Sequence, residues 1–159
     1  MNAKRPIFLR FCSEITGYTC FKLEGTSLVD TYQKLLEDVL GSKLEEFYNL
    51  IESVVSLEKP EQREERIRAT LLPPSIYWPV VSGLISLWYL GYWSRLPDSW
   101  YVATGLPVPG QNDPGRTHVP SAAAYTEQLS YRTAGAHPPG TKPTGYGGWS
   151  IPPVFDESN

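Results

Sequence analysis

The stretch VVSGLISLWYLGYW, residues 80–93, decides the fold. It lies inside a longer run, residues 69–94, that contains no charged side chain. A helix that is apolar on all sides is buried in a protein core or in a membrane. The uncharged run is long enough to cross a bilayer, which takes about 20 apolar residues.

Three prolines decide between these two environments. Pro73, Pro74 and Pro79 interrupt the first third of the uncharged run, so the continuous helix covers only residues 80–93. That length is short for a span, and we therefore expect a central core helix. A membrane-anchoring component that uses residues 71–93 remains the alternative, and otherwise any membrane contact is indirect. Because rings surround the end of this helix, at residues 87–93, we expect protein on every side of it, some of it from another chain.

Apolar residues at helical spacing predict three helices ahead of this core, at residues 6–16, 27–40 and 42–55, and Pro60 can open a fourth at residues 61–72. Residues 18–25 are expected to be a connection. The predicted fold class is mainly α, a small bundle of five to six helices. With 159 residues, the chain is long enough for one domain with a real core.

Local signals predict where these helices start and how their charges pair. Ser27 is followed by Asp30, and Ser42 by Glu45, the spacing of helix N-terminal caps. In the charged helix at 61–72, Glu64 and Arg68 stand four residues apart and can form an ion pair. We interpret that helix as a solvated surface.

The chain changes character after residue 95. Residues 96–120 are rich in proline and glycine, which predicts an irregular loop with a short extended piece at 100–102. Ser121 is expected to cap one further helix at about 121–134, which Gly135 ends. The domain organisation is therefore a helical bundle at 1–95 and, at 96–159, a long extended irregular arm that carries this helix.

The last part of this arm combines prolines, glycines and large rings. Prolines exclude helix and central strand there, and a segment so rich in glycine has little reason to become ordered by itself. Tyr146, Trp149 and Phe155 nevertheless bury large apolar areas wherever they find a surface. We expect the arm to lie either on this protein's own helices or on another chain.

Composition and motifs limit the chemistry. A net charge of −3 with scattered Lys and Arg argues against a nucleic-acid partner. Cys12 and Cys20 form no C-x-x-C pair, and they are expected to be free thiols unless the turn at Gly17 brings them together. The sequence has no H-E-x-x-H, P-loop or nucleophile-elbow motif, and no nucleophile–base pair. We therefore expect no catalytic residue and no metal or cofactor site in this chain.

Two histidines remain. We expect His118 to be solvated in a loop and His137 to bond a backbone carbonyl near a helix end. An alternative is a stand-alone enzyme that uses His137 as general base, with Lys142 or Arg132 holding an anionic substrate.

Four segments resemble a known family: residues 87–93 (LWYLGYW), 124–127 (AYTE), 135–142 (GAHPPGTK) and 145–153 (GYGGWSIPP). In this order and spacing they are similar to the small, gamma-type subunit of the bacterial membrane-bound FAD-dependent sorbitol, fructose and glucose dehydrogenase complexes. The resemblance extends from Phe8 to Pro153 and is most specific in the last third.

The resemblance implies a mostly helical subunit without a cofactor of its own. It implies a hetero-oligomer with a large FAD-binding catalytic subunit of the glucose–methanol–choline oxidoreductase type, to which some complexes add a cytochrome c subunit. Family members usually carry a twin-arginine export signal, whereas this sequence shows no Arg-Arg pair and no apolar stretch near Met1. As written, the chain is expected in the cytoplasm, or in the periplasm if such a signal was removed.

The predicted partner-binding residues are mainly large rings and residues of the arm. Tyr and Trp dominate interface hot spots, so Trp93, Tyr131, Tyr146 and Trp149 are the predicted anchors. For each anchor, packing on this chain's own helices is the alternative. The full predicted set is Trp88, Tyr89, Tyr92, Trp93, Tyr131, Gly135, His137, Pro138, Lys142, Tyr146, Trp149 and Ile151.

Overall fold

The computed structural model describes residues 4–136, and the prediction of a mainly α fold is confirmed for them. The α-helices are α1 (Lys4–Thr16), α2 (Cys20–Glu24), α3 (Val29–Leu40), α4 (Leu44–Val55), α5 (Pro60–Thr70), α6 (Trp78–Leu90), α7 (Asp98–Thr104), α8 (Ala122–Thr126) and α9 (Ser130–Thr133). A 3-10 turn, Gly41–Lys43, joins α3 to α4. Residues 4–136 contain no strand, only an isolated antiparallel bridge between Trp93 and His118.

Helix α6 is the central helix that the uncharged run predicts. Val80, Val81, Leu84 and Leu87 are all buried, and together with the inner faces of α1, α3 and α4 they form one core. The helix ends at Leu90 and not at Trp93, because Gly91 takes a left-handed conformation with φ +71°. In residues 4–136, no helix has the length and apolar character needed to cross a membrane.

Two of the predicted helix starts are wrong. Ser27 has φ +58° and lies outside α3, whose first residue is Val29 and whose N-terminus has no side-chain cap. Ser42 lies within the 3-10 turn and does not cap α4, because the chain passes from α3 into α4 without the extended residue that a capping side chain requires.

Two helices lie where the sequence predicts none. Helix α2 lies in the predicted connection at 18–25, and the Thr19 hydroxyl caps it by accepting a hydrogen bond from the backbone N–H of Lys22. Helix α7 replaces the extended piece at 100–102. The Trp100 indole N–H donates to the Ile76 carbonyl oxygen (2.9 Å), which fixes α7 against the start of α6.

The single helix predicted at 121–134 is interrupted. Ser121 does cap α8, and its hydroxyl accepts a hydrogen bond from the N–H of Ala124. The chain leaves the helical path after Thr126 and resumes it in α9, after which Gly135 turns the backbone at φ +61°. The core also includes side chains from this half of the chain, namely Leu96, Trp100, Tyr101, Ala124 and Leu129.

Helix α5 packs Ile67 against the core, and Arg63 adds polar contacts with its neighbours. The Arg63 guanidinium donates to the carbonyl oxygens of Leu57 and Glu58 and lies 2.8 Å from the Glu14 carboxylate on α1. On its outer face, Arg68 pairs with Glu64 at 2.6 Å, which confirms the predicted ion pair. Both cysteines are free thiols, Cys12 buried and Cys20 half-buried.

Candidate partner-binding site

The end of α6 joins two of the segments that carry the resemblance, residues 87–93 and 124–127. Residues 87–90 form the last turn of the central helix, residues 91–93 follow it, and α8 and α9 lie directly against this end. The N–H of Leu129 donates to the carbonyl oxygen of Trp88 at 2.8 Å. A β-carbon at position 91 would overlap the carbonyl oxygen of Ala124 and lie 2.9 Å from its carbonyl carbon. Residues far apart in sequence therefore form one surface.

Two of the predicted partner-binding residues pack inside this chain. Trp88 is 1% exposed and stacks edge-on against Tyr32, with ring centres 4.8 Å apart, and Trp93 is fully buried. The Trp93 ring occupies the space beside Gly83 of α6, where a β-carbon would come within 2.6 Å of it. Both indoles are buried within this chain, and Trp93, one of the predicted anchors, packs on the chain's own helices.

Tyr89 and Tyr92 lie at the edge of this surface. The Tyr89 hydroxyl donates to the carbonyl oxygen of Thr16 (2.7 Å), and its ring meets Tyr18 edge-on with ring centres 6.3 Å apart. Burial raises the pKa of Tyr89. These contacts fix Tyr89 to the end of α1, whereas Tyr92 is half-buried after α6.

Tyr131 and Gly135 lie where the described chain ends. Tyr131 is half-buried. Burial is the main reason that its pKa is raised, and the neighbouring Tyr125 raises the pKa further. Gly135 is buried, and nearby the hydroxyls of Thr133 and Tyr18 are hydrogen-bonded at 2.9 Å. The end of α9 is thus attached to the bundle before the remaining residues follow.

Six predicted site residues lie outside the described part of the chain: His137, Pro138, Lys142, Tyr146, Trp149 and Ile151. Their predicted roles stay predictions.

The exposed rings and aliphatic side chains of this surface are not the ones that the sequence singles out. Leu90 is 47% exposed at the last turn of α6, and Tyr125 is 53% exposed on α8. Both residues belong to the segments that carry the resemblance, which is the signal that could have identified them. Periodicity could not, because their exposure depends on how α8 packs across Gly91.

In residues 4–136, no three His, Cys, Asp or Glu side chains are grouped so that they could hold one metal ion. The Nδ1 atom of His118 lies 2.7 Å from the carbonyl oxygen of Arg116, and the residue is half-buried rather than fully solvated.

A groove of about 480 Å³ lies between α1, α5 and α6, away from the end of α6. Its walls include Ile15, Ile67 and Ile85. Glu14 and Arg68 at its margin take part in ion pairs with α5 residues. Two of the segments that carry the resemblance meet at the end of α6, so we place the candidate site there and not in this groove.

Comparison of the chain with protein-family models, with curated protein sequences and with solved structures finds no match.

Proposed function

We propose that this protein is an accessory subunit that binds and stabilises a large FAD-dependent oxidoreductase of the glucose–methanol–choline type. The large subunit oxidises a sugar or alcohol hydroxyl and holds the flavin. This chain binds it through the end of α6 and through residues 137–159, and contributes no catalytic group.

One observation carries the proposal. Residues 87–93 and 124–127, which lie more than thirty positions apart, meet at one end of the fold, and Gly135 lies at the end of the described chain beyond α9. The proline-, glycine- and ring-rich residues 137–159 follow from that point. Prolines restrict the unbound chain, so an arm of this composition loses less entropy when it binds.

Purification of the tagged full-length chain from its native cells tests the proposal. We expect it to co-purify with a large flavoprotein, identified by mass spectrometry and by FAD released on denaturation, and the complex to oxidise sugars or alcohols with an artificial electron acceptor. Replacing two arm rings, Tyr146→Ser with Trp149→Ser, should reduce the FAD recovered per chain.

Two results would contradict the proposal. One is a chain that is recovered without any flavoprotein from cells that express one. The other is oxidation by the purified chain alone that disappears on His137→Ala substitution, which would favour the stand-alone enzyme.

A further inference from the structure

We infer that a groove beside α6 binds a small organic oxyanion, a carboxylate or a phosphate monoester that carries an apolar part. The groove, which we call the serine groove, is lined by Trp78, Ser82 and Ser86 of α6 and by Ser94 and Arg95 after it. Its volume is about 320 Å³, which is enough for a small ligand. This inference goes beyond the proposed function and does not depend on it.

One row of α6 departs from the apolar character of the helix. Trp78, Ser82 and Ser86 stand four residues apart, so they lie one above the other on the same face. All other residues of the helix are glycine, proline, aliphatic or aromatic. The two serines are therefore the hydroxyls that the central helix presents to the groove.

The serine hydroxyls of the groove are not used by the fold. A hydroxyl on a helix commonly bonds to its own backbone, as Thr16 does when it donates to the carbonyl oxygen of Cys12 at 2.7 Å. Within residues 4–136, the hydroxyls of Ser82, Ser86 and Ser94 make no hydrogen bond, although all three residues are half-buried. Three donors are therefore available to a polar group that enters the groove.

The charge of the groove favours an anion. Among the described residues that line it, Arg95 is the only charged one, and there is no Asp or Glu. Arg95 pairs with Asp98, whose side chain is 70% exposed, and an exposed pair of this kind contributes little. The guanidinium has further N–H groups, and arginine binds the planar oxygens of carboxylates and phosphates well. An oxyanion in the groove can therefore compete with Asp98 or bind beside it.

Backbone contacts fix the second wall of the groove. The N–H of Trp93 donates to the carbonyl oxygen of His118 (2.9 Å), and the N–H of His118 donates to that of Trp93 (3.1 Å). The N–H of Arg95 donates to the Thr117 hydroxyl at 3.0 Å. Because these bonds hold the segment beside α6 before any ligand arrives, binding orders little of the chain.

The other walls of the groove are apolar. Trp78 is half-buried and packs against the core, and Pro79 and Leu96 also line the groove. Apolar atoms of a ligand gain free energy when these side chains remove them from water. The expected ligand therefore has an apolar part beside its oxyanion.

The larger groove between α1, α5 and α6 lacks this arrangement. Its acidic side chains are already paired, Glu64 with Arg68 at 2.6 Å and Glu14 with Arg63 at 2.8 Å. Among the described residues that line it, none carries a hydroxyl. It offers no free donor to an anion comparable to those of the serine groove.

Titration calorimetry of the full-length chain with phenyl phosphate and with benzoate tests the inference. We expect at least one of them to bind with a Kd of about 1 mM or tighter, and the tighter one identifies whether a phosphate or a carboxylate is recognised. Inorganic phosphate lacks the apolar part, and benzyl alcohol lacks the charge. Both should bind about tenfold or more weakly than the better probe.

Substitutions in the groove locate the bound probe. Arg95→Gln should weaken the better probe about tenfold or more, because it removes the charge. Ser82→Ala combined with Ser86→Ala should weaken it about three- to tenfold, because two hydroxyl donors are lost.

Two matched controls lie elsewhere in the fold. Arg68→Gln removes an arginine from a comparable exposed ion pair that lines the other groove. Ser53→Ala removes a hydroxyl that donates to the carbonyl oxygen of Leu50 at 2.7 Å. Neither control should change the affinity for the probe.

Hydrogen exchange on the wild-type chain provides a measurement without any variant. The better probe should slow exchange at the backbone amides of residues 82–86 and 94–96 and leave those of residues 64–68 unchanged. This measurement replaces the substitutions if circular dichroism shows that a variant has not folded.

Four results would overturn the inference: no binding of either probe, equal affinity in folded Arg95→Gln, a loss of affinity in Arg68→Gln instead, or benzyl alcohol binding as tightly as the anions. Each of them leaves the proposed function untouched, because the partner-binding site lies at the end of α6.

Discussion

Gly91 and Ala124 touch backbone to backbone, so that α6 and α8 meet with no side chain between them. The missing β-carbon of Gly91 leaves the space that the Ala124 carbonyl group occupies. This contact is what brings the 124–127 segment over the end of the central helix. It also makes position 91 intolerant of any other residue for two separable reasons, the left-handed backbone and the close approach.

The first prediction separates these two reasons. Gly91 and Gly105 both have φ +71° and ψ +13°, but a β-carbon at 105 would meet nothing within 4 Å. We expect Gly105→Ala to lower the free energy of unfolding by about 1 kcal/mol, the cost of the left-handed backbone. Gly91→Ala should lower it by about 2–4 kcal/mol, because it also overlaps Ala124. Urea unfolding followed by circular dichroism measures both, and equal losses would contradict the close contact.

The second prediction concerns stability at alkaline pH. The Tyr32 hydroxyl is buried and donates to the carbonyl oxygen of Leu87 (3.0 Å), and burial raises its pKa. In the unfolded chain tyrosine ionises near pH 10, so the unfolded state loses its proton first as the pH rises. The free energy of unfolding should therefore be fully retained below about pH 10 and decrease above it.

Substitution of Tyr32 tests this assignment. Tyr32→Phe should reduce the alkaline slope by up to about 1.4 kcal/mol per pH unit, measured by urea unfolding at a series of pH values. Part of the slope should remain, because burial also raises the pKa of Tyr48. An identical slope in the two proteins would show that Tyr32 ionises without unfolding.

The third prediction concerns the two thiols. Cys12 is fully buried, and burial raises its pKa to about 12, whereas Cys20 is half-buried at the start of α2. Because the thiolate is the reactive form, a thiol reagent should modify Cys20 quickly and Cys12 only after unfolding. Cys20→Ser should abolish the fast reaction and Cys12→Ser should preserve it, as followed by mass spectrometry. Fast labelling of both cysteines, or a native mass that indicates a disulfide, would contradict the structure.

Local patterns in the sequence predict the larger helices well. The spacing of Phe8, Phe11 and Cys12 predicts α1, and Pro60 marks the first residue of α5. The uncharged run predicts α6 as the central helix. These predictions succeed because two signals act within a few residues of the chain: the spacing of apolar residues, and the prolines and glycines that begin or end a helix.

The short helices and the cap positions were not predictable in this way. Helices α2 and α7 are only five and seven residues long, which is too short for a period to show. Ser42 has the spacing of a helix cap relative to Glu45, but its backbone belongs to the 3-10 turn between α3 and α4. Each outcome depends on how neighbouring helices connect, and a local window does not contain that information.

The sequence by itself determined that this chain is a helical protein whose central helix contains residues 80–90, and that its last part is rich in proline, glycine and aromatic rings. Only the tertiary structure decided which rings of the 87–93 segment are buried and which side chains beside them are exposed. Trp93 fills the gap beside Gly83, while Leu90 and Tyr125 remain at the surface. The physical reason is that burial is a property of a pair of surfaces, and here the second surface comes from α3, from α6 itself and from α8 and α9, which lie far apart along the chain.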